Sequence, residues 1–93
     1  MKYLIKMSFS TQFGPQPSKF IRKLDIQTQD RIKNKILKLQ DDPFPPETER
    51  VEGYKDEKIF RVRVGEYRIL YVVRYADKSI FIAKVDKRGR VYD

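Results

Sequence analysis

Arginine occupies alternate positions in the segment FRVRVGEYRILY, at Arg61 and Arg63, and returns at Arg68 after a Gly-Glu step. If this segment forms two strands joined at Gly65 and Glu66, glycine at the first central position suits a type II′ hairpin turn. The three arginines then share one face, because side chains alternate between the faces of a sheet. Guanidinium stays charged at any working pH and binds phosphate oxygens through paired hydrogen bonds. The spacing therefore predicts a phosphate-binding surface.

The predicted hairpin fixes which residues lie opposite one another across its two strands. The expected partners are Val64 with Tyr67, Arg63 with Arg68, Val62 with Ile69, and Arg61 with Leu70. Like charges directly opposite each other destabilise a sheet, so we expect a group from outside the fold, such as a phosphodiester, to compensate the arginines. The alternative is an ordinary solvated face of an amphipathic sheet.

A second basic cluster follows near the end of the chain, and an aromatic residue lies beside it. Its members are Lys84, Lys87, Arg88 and Arg90, with Tyr92 at the margin. Aromatic side chains stack on unpaired bases while arginines hold phosphates. The two clusters together are typical of an RNA-binding surface.

The composition agrees with a polyanionic partner and excludes several kinds of chemistry. The chain has 21 Lys and Arg against 13 Asp and Glu, a formal net charge of +8, which favours nucleic acid. It has no cysteine and no histidine, so disulfides, cysteine-based zinc sites and a histidine general base are excluded. We expect no metal and no cofactor. No apolar run reaches the roughly 20 residues of a membrane span, and a signal-peptide core is lacking, so a cytoplasmic protein is expected.

The elements that must position these residues are visible in the hydrophobic periodicity. Alternation predicts strands over residues 2–9, 59–64, 66–75 and 79–85, with a short strand around Val51. The segment TQFGPQP is expected to break the first strand. A short helix is predicted from Pro17 and a second one after Asp25 as its N-cap, ending at the proline-rich residues 41–46.

The order of these elements predicts one domain, residues 1–93, of the α+β class. The arrangement β-α-α-β-β-β indicates a twisted, mainly antiparallel sheet with a helical hairpin on one face. The first strand is expected to return and pair with the later ones. The face covered by the helices should consist of Phe60, Val62, Val64, Tyr67, Ile69, Tyr71 and Val73, and the other face of Arg61, Arg63, Arg68, Leu70 and Val72.

Two segments resemble the RelE/ParE superfamily of toxins from type II toxin–antitoxin systems, and in particular the short archaeal RelE-like form. They are VEGYKDEKIFRVRVGEYRILYVV and IAKVDKRGRVYD, and the resemblance extends over almost the whole chain. It implies a ribosome-dependent endoribonuclease that cuts mRNA in the ribosomal A site and is inhibited by a RelB-like antitoxin. The expected partners are therefore the antitoxin, the ribosome and mRNA, with no membrane.

The resemblance also implies which residues carry out the reaction. The family's catalytic positions correspond to Arg61, Arg68, Arg88 and Tyr92, and RNA contacts are expected from Arg63, Lys84, Lys87 and Arg90. Arginines aimed at the reacting phosphate would stabilise its developing negative charge. Tyr92 is the one motif-matched side chain suited to proton transfer, if neighbouring arginines lower its pKa. Glu66 is a weaker candidate base.

This chain departs from the family pattern on the first basic strand and in the late motif, which Asp86 and Gly89 interrupt. Bacterial relatives often carry lysines on the first basic strand, where this chain has Arg61 and Arg63, and arginine effectively cannot lose a proton. Asp86 stands where glycine is common, and its carboxylate is expected to pair with Arg88 and weaken phosphate capture.

Two other functions fit the same fold. One is a ParE-like toxin that inhibits DNA gyrase without being a nuclease, and the other is an RNA- or ribosome-binding module without catalytic activity. The cluster of Lys87, Arg88 and Tyr92 favours the nuclease, because a gyrase inhibitor does not need it as a catalytic unit.

Overall fold

The computed structural model describes residues 8–52 and 57–87 of the 93. The described residues form five strands and two helices: β1 (Ser10–Phe13), α1 (Pro15–Arg22), α2 (Ile26–Asp41), β2 (Glu49–Val51), β3 (Ile59–Val64), β4 (Tyr67–Arg74) and β5 (Ser79–Lys87).

The strands form a single sheet in the order β1-β5-β4-β3-β2. Neighbouring strands are antiparallel except β1 and β5, which are parallel. The helices lie between β1 and β2 in the chain and therefore cross from one edge of the sheet to the other. The predicted α+β fold, with a helical hairpin on a mainly antiparallel sheet, is confirmed.

The first strand is not where the alternation placed it. Residues 2–7 of the predicted strand lie outside the described residues, and Ser8 and Phe9 are not in a strand. β1 occupies Ser10–Phe13 and so extends into the segment expected to break the strand. The cause is the edge position of β1: its side chains are mostly exposed, so its sequence needs no apolar alternation. A strand near the start of the chain does pair with a later one, since Ser10 lies opposite Ser79.

The helices begin where local capping chemistry allows. Gly14 is the N-cap of α1 and Pro15 is its first residue, a position where the missing proline N–H would have no partner in any case. Helix α1 thus starts two residues before Pro17. The predicted cap of α2 is confirmed: the Asp25 carboxylate accepts a hydrogen bond from the backbone N–H of Thr28 at 3.2 Å.

The core lies between α2 and the inner face of the sheet. Ile32, Ile36 and Leu39 of α2 are at most 4% exposed, as their i, i+4, i+7 spacing predicts. They pack with the buried strand residues Val62, Val64, Ile69, Tyr71, Ile80, Ile82 and Val85. Phe60, Tyr67 and Val73 pack against this cluster, so the predicted inner face is confirmed.

The hairpin between β3 and β4 has the predicted register at all four predicted pairs. Gly65 has a φ of +57°, whereas Glu66 does not have a positive φ. A type I′ turn needs positive φ at both central residues, so this combination fits the expected type II′ turn.

A β-bulge in β5 decides which of its residues face outward. Leu70 lies opposite Lys84 and Tyr71 opposite Ile82, so Ala83 is the extra residue. Without the bulge, strict alternation would put Lys84 and Asp86 on the same face of the sheet as the buried Ile82, toward the helices. The bulge shifts the alternation by one residue, so that Val85 is buried and Lys84 and Asp86 lie on the opposite face.

Gln16 of α1 holds β5 just beyond the bulge. Its side-chain nitrogen donates to the Val85 carbonyl, and its side-chain oxygen accepts from the Val85 N–H, each at 3.0 Å. β1 pairs with β5 only as far as Ile82, so Gln16 supplies the hydrogen bonds that a longer β1 would make. This contact fixes the segment that carries Lys84 and Asp86.

Tyr71 is a structural residue, which gives a first prediction. Its hydroxyl donates to the Pro43 carbonyl at 2.6 Å, and burial raises its pKa to about 12, opposed by a hydrogen bond from Thr48. Tyr71→Phe leaves that carbonyl without its donor, so we expect urea unfolding to show a loss of roughly 1–3 kcal/mol. The difference should shrink as pH rises from 10 to about 12, where the buried phenol must ionise. Tyr75→Phe, at an exposed tyrosine, is the control; equal losses in both variants would contradict the prediction.

Candidate phosphate-binding face

The sheet face opposite the helices brings together four of the predicted site residues, Arg61, Arg63, Arg68 and Lys84. We call it the open face. Arg63 lies directly opposite Arg68, and Lys84 opposite Leu70, by the register of β3, β4 and β5. The two neighbouring strands and the bulge of β5 thus set these cations side by side.

Arg68 is compensated by a carboxylate from the protein itself. Its Nε donates to Asp86 Oδ1 at 2.7 Å and its Nη2 to Oδ2 at 3.4 Å. Lys84 Nζ lies 3.9 Å from the same carboxylate. The expectation that only an outside group would compensate the arginines was therefore wrong for Arg68. The reason is that β5 extends to Lys87 and places Asp86 opposite Arg68.

Arg61 is compensated in the same way by β2. The register puts Glu49 opposite Arg61, and Arg61 Nη2 donates to Glu49 Oε1. This hydrogen bond and the charge of Arg61 lower the pKa of Glu49 below its usual 4.5. The buried Nε of Arg61 has no hydrogen-bond partner among residues 8–52 and 57–87. A buried donor of this kind normally has an acceptor, and a phosphate oxygen is one.

Arg63 differs from the other two arginines. It is exposed, and within the described part of the chain it makes no ion pair. β2 pairs with β3 only from Ile59 to Arg61, so Arg63 lies on an open edge of the sheet. Of the two opposing arginines, Arg68 is therefore compensated by Asp86, whereas Arg63 has no ion-pair partner among the described residues.

The remaining predicted residues are not gathered on the open face. Lys87 lies opposite Tyr67, on the register of the helix-covered face, and its Nζ lies 3.1 Å from the Glu66 carboxylate. Glu66, the weaker candidate base, is thus held by a neighbouring cation. Arg88, Arg90 and Tyr92 lie outside the described residues, and so does the expected pairing of Asp86 with Arg88.

Sequence reasoning missed the charged partners of the arginines. Glu49 lies beside the short strand predicted around Val51, and only the register of β2 reveals that it faces Arg61. Asp86 follows a strand that was expected to end at residue 85.

Arg74 also lies on this side of the sheet. It donates to Glu57 through Nε and Nη2 at 3.1 and 3.2 Å, and its guanidinium covers the Phe81 ring at 4.8 Å. The alternation of Arg68, Leu70, Val72 and Arg74 was a signal that it shares the face.

The ion pair of Glu49 gives a second prediction. Glu49→Gln leaves Arg61 free for phosphate, so binding of single-stranded RNA should strengthen, with a salt dependence steeper by about 0.7 for one added phosphate contact. The depressed pKa of Glu49 stabilises the fold above pH 4.5, and this contribution is lost as pH falls through the folded-state pKa. The stability difference from the wild type should therefore vanish in acid. Glu52→Gln, which removes an exposed carboxylate nearby, is the control, and an equal gain in RNA binding would refute the assignment.

The described part of the chain shows neither a metal site nor a membrane-spanning helix. Residues 8–52 and 57–87 contain no cluster of acidic side chains that could hold a metal ion. Neither described helix is long and apolar enough to cross a membrane. The chemistry available on the open face is that of fixed cations.

A basic, twisted sheet with a helical hairpin on its other face defines the class of small α+β proteins to which this chain belongs. The sequence model described as "ParE toxin of type II toxin-antitoxin system, parDE" matches residues 10–92. The chain therefore belongs to the RelE/ParE toxin family. It is also 29% identical over 87 residues to the toxin named RelE1 of Methanocaldococcus jannaschii, covering 92% of this chain and 97% of that protein.

Solved structures agree with this assignment. The fold is similar to the archaeal RelE–RelB complex of Pyrococcus horikoshii OT3, with a TM-score of 0.77, 31% identity, and coverage of 90% of this chain and 99% of that one. The RelB–RelE antitoxin–toxin complex of Methanococcus jannaschii gives a TM-score of 0.65, 25% identity and coverage of 87% and 94%. The isolated RelE toxin of E. coli, at 24% identity, shares the fold with a TM-score of 0.70 and coverage of 91% and 92%.

Proposed function

We propose that this toxin is a ribosome-dependent endoribonuclease that cleaves mRNA in the A site and so stops translation in the cytoplasm. The proposal rests on one observation: Arg61 and Arg68 share the open face, and each is held in place by a carboxylate of a neighbouring strand. Cations fixed in advance need no reorganisation when charge develops on a phosphate, which makes such groups effective in catalysis.

The proposed reaction is an internal transfer at the RNA backbone. The ribose 2′-oxygen attacks the adjacent phosphorus, and the bond from phosphorus to the 5′-oxygen breaks. The 2′-hydroxyl gives its proton to a base, and the leaving 5′-oxygen gains a proton. The products are a 2′,3′-cyclic phosphate and a 5′-hydroxyl. Arg61, Arg68 and Arg88 would stabilise the charge on the phosphorus-bound oxygens, and Tyr92 would transfer protons.

Asp86 would compete with a bound phosphate for Arg68 on the open face. Arg68 holds Asp86 through the Nε and Nη2 edge of its guanidinium, so this edge is closed to a phosphate, although a guanidinium has other N–H donors. A phosphate bound on the Nε and Nη2 edge would thus compete with this ion pair. We infer that the resting protein holds Arg68 in a compensated form, and that RNA positioned by the ribosome displaces the carboxylate.

The antitoxin is proposed to be RelB-like, as in the related complexes. An acidic segment of it would cover the open face. Two neighbouring hollows of about 350 and 300 Å³ share Phe13, Lys33 and Ile36 and form an apolar groove between β1 and the helices. Phe13 and Leu37 are 46% and 57% exposed there, which suits an apolar helix of the antitoxin.

A gyrase inhibitor remains the second candidate, because the matching family description names ParE. The two functions predict different targets. The purified toxin should be incubated with ribosomes programmed with a defined mRNA, and separately with gyrase and supercoiled DNA. We expect cuts in the mRNA at the A-site codon that end in a cyclic phosphate, and unchanged supercoiling. Intact mRNA with inhibited gyrase would establish the ParE-like function, and ribosome binding without either effect would establish a non-catalytic module.

A further inference from the structure

A second basic surface lies at the edge of the sheet, away from the centre of the open face. A hollow of about 330 Å³ separates α2 from the end of β3. Its lining includes four cations, Arg31, Lys35, Lys38 and Arg63, together with Asn34. We call it the edge groove. It exists because β2 stops pairing with β3 at Arg61, which leaves the end of β3 uncovered.

The geometry of α2 aligns three of these cations. Arg31, Lys35 and Lys38 follow one another at i, i+4 and i+7, so they lie on one stripe of the helix. With a rise of 1.5 Å per residue the stripe is about 10 Å long. Phosphates advance by about 3.4 Å along each strand of a duplex, so the stripe is long enough to contact more than one phosphate.

The glycine in the turn between β3 and β4 leaves space for Arg31, the first cation of this stripe. A Cβ atom built on Gly65 would lie 2.5 Å from Arg31 Nη2. Glycine therefore allows the Arg31 guanidinium to lie against the turn, in addition to permitting its positive φ. A side chain at this position would require the Arg31 guanidinium to move.

The charges of the edge groove are only partly compensated. Lys35 is paired with Glu47, and Glu47 also interacts with the charge of Lys38. Glu49 also interacts with the charge of Arg63. Among the described residues the four cations therefore face two carboxylates, which leaves the groove with a net positive charge. Among the described residues, Arg31, Lys38 and Arg63 form no ion pair.

We propose that the edge groove binds the phosphate backbone of RNA and continues the open face around the edge of the sheet through Arg63. The ligand class rests on the proposed action on RNA. Docking of a protein partner is disfavoured because Val64 is the one apolar side chain among the described residues that line the groove, and protein interfaces depend on buried aromatic or aliphatic anchors. Cations and an amide without such anchors suit a sugar-phosphate chain.

The test measures binding without cleavage, so that it can fail independently of the proposed nuclease. Binding of a fluorescent 20-nucleotide oligouridylate, without ribosomes, is titrated at several salt concentrations. The variant Arg31→Gln with Lys38→Gln is compared with Lys19→Gln and Lys23→Gln, which remove the same charge from exposed positions at the end of α1. Lys38→Arg keeps the charge, and thermal melting verifies folding.

We expect the edge-groove variant to reduce the slope of log affinity against log salt by about 1.4, for two phosphate contacts on a single strand. The α1 variant should change the slope by much less, and Lys38→Arg should bind as the wild type does. Equal effects of the two double variants would refute the groove, since only net charge would then matter. Loss of poly-L-glutamate binding with unchanged RNA binding would also overturn it in favour of an acidic protein ligand.

Discussion

Replacing Arg68 with glutamine is expected to lower the rate of mRNA cleavage on programmed ribosomes by about 10²–10³-fold, the cost of removing one preorganised donor to a developing negative charge. The substitution acts twice. It removes a fixed cation from the open face, and it releases Asp86, whose carboxylate was bound by Arg68 Nε at 2.7 Å. Among the described residues Lys84 would be the remaining ion-pair partner of Asp86, and the less compensated carboxylate would then repel the phosphate that it previously competed with.

The partner variant Asp86→Asn should have the opposite effect. It removes the carboxylate that competes with phosphate for Arg68 and keeps the cation, so cleavage under single-turnover conditions should be as fast as in the wild type or faster. Arg68 and Asp86 are only 22% and 23% exposed, so loss of either partner also costs stability, and urea unfolding must accompany the kinetic assay. In the double variant, asparagine should restore part of the activity lost with Arg68→Gln.

Arg74→Gln is the matched control for this experiment. Arg74 lies on the same strand and the same side of the sheet as Arg68 and also forms an ion pair with a carboxylate, that of Glu57. Its guanidinium covers Phe81, which is a packing role. A loss of cleavage as large as that in Arg68→Gln would show that any cation on the sheet has the same effect, and the assignment of Arg68 to the reacting phosphate would fail.

The hairpin was predictable in detail because its determinants are local. Gly65 fixes the turn, and the alternation of Phe60, Val62 and Val64 against Arg61 and Arg63 fixes the faces, so the register follows from the sequence alone. The N-cap at Asp25 is equally local, because the hydrogen bond joins residues three positions apart.

The features that escaped prediction depend on contacts between distant parts of the chain. β1 is an exposed edge strand that pairs with residues almost seventy positions later, and no periodicity identifies it. The bulge at Ala83 reverses the faces of Lys84 and Asp86, and the alternation of Ile80 and Ile82 predicts the opposite orientation. Glu49 and Asp86 become partners of Arg61 and Arg68 only through the register between strands, so the sequence alone does not predict these two ion pairs.

Tyr92→Phe is expected to reduce cleavage by about 10²–10⁴-fold, the usual contribution of a general acid or base. The chain has no histidine, and the arginines of the open face cannot exchange protons at working pH. Glu66 is 72% exposed and bound to Lys87, which is a poor environment for a base. Tyr71 is excluded as well, because its pKa is raised to about 12 and its hydroxyl is already bound to Pro43.

The measurement should separate proton transfer from RNA binding. Single-turnover cleavage on programmed ribosomes gives the chemical step, and cosedimentation with ribosomes gives binding; Tyr92→Phe should slow the first and leave the second unchanged. Tyr75→Phe removes an exposed hydroxyl and should change neither. If Tyr92→Phe cleaves at the wild-type rate while Glu66→Gln does not, the base is at the hairpin turn. If neither variant is slowed, the proton must pass to the ribosome or to solvent, and the contribution of this toxin is the positive charge of its arginines.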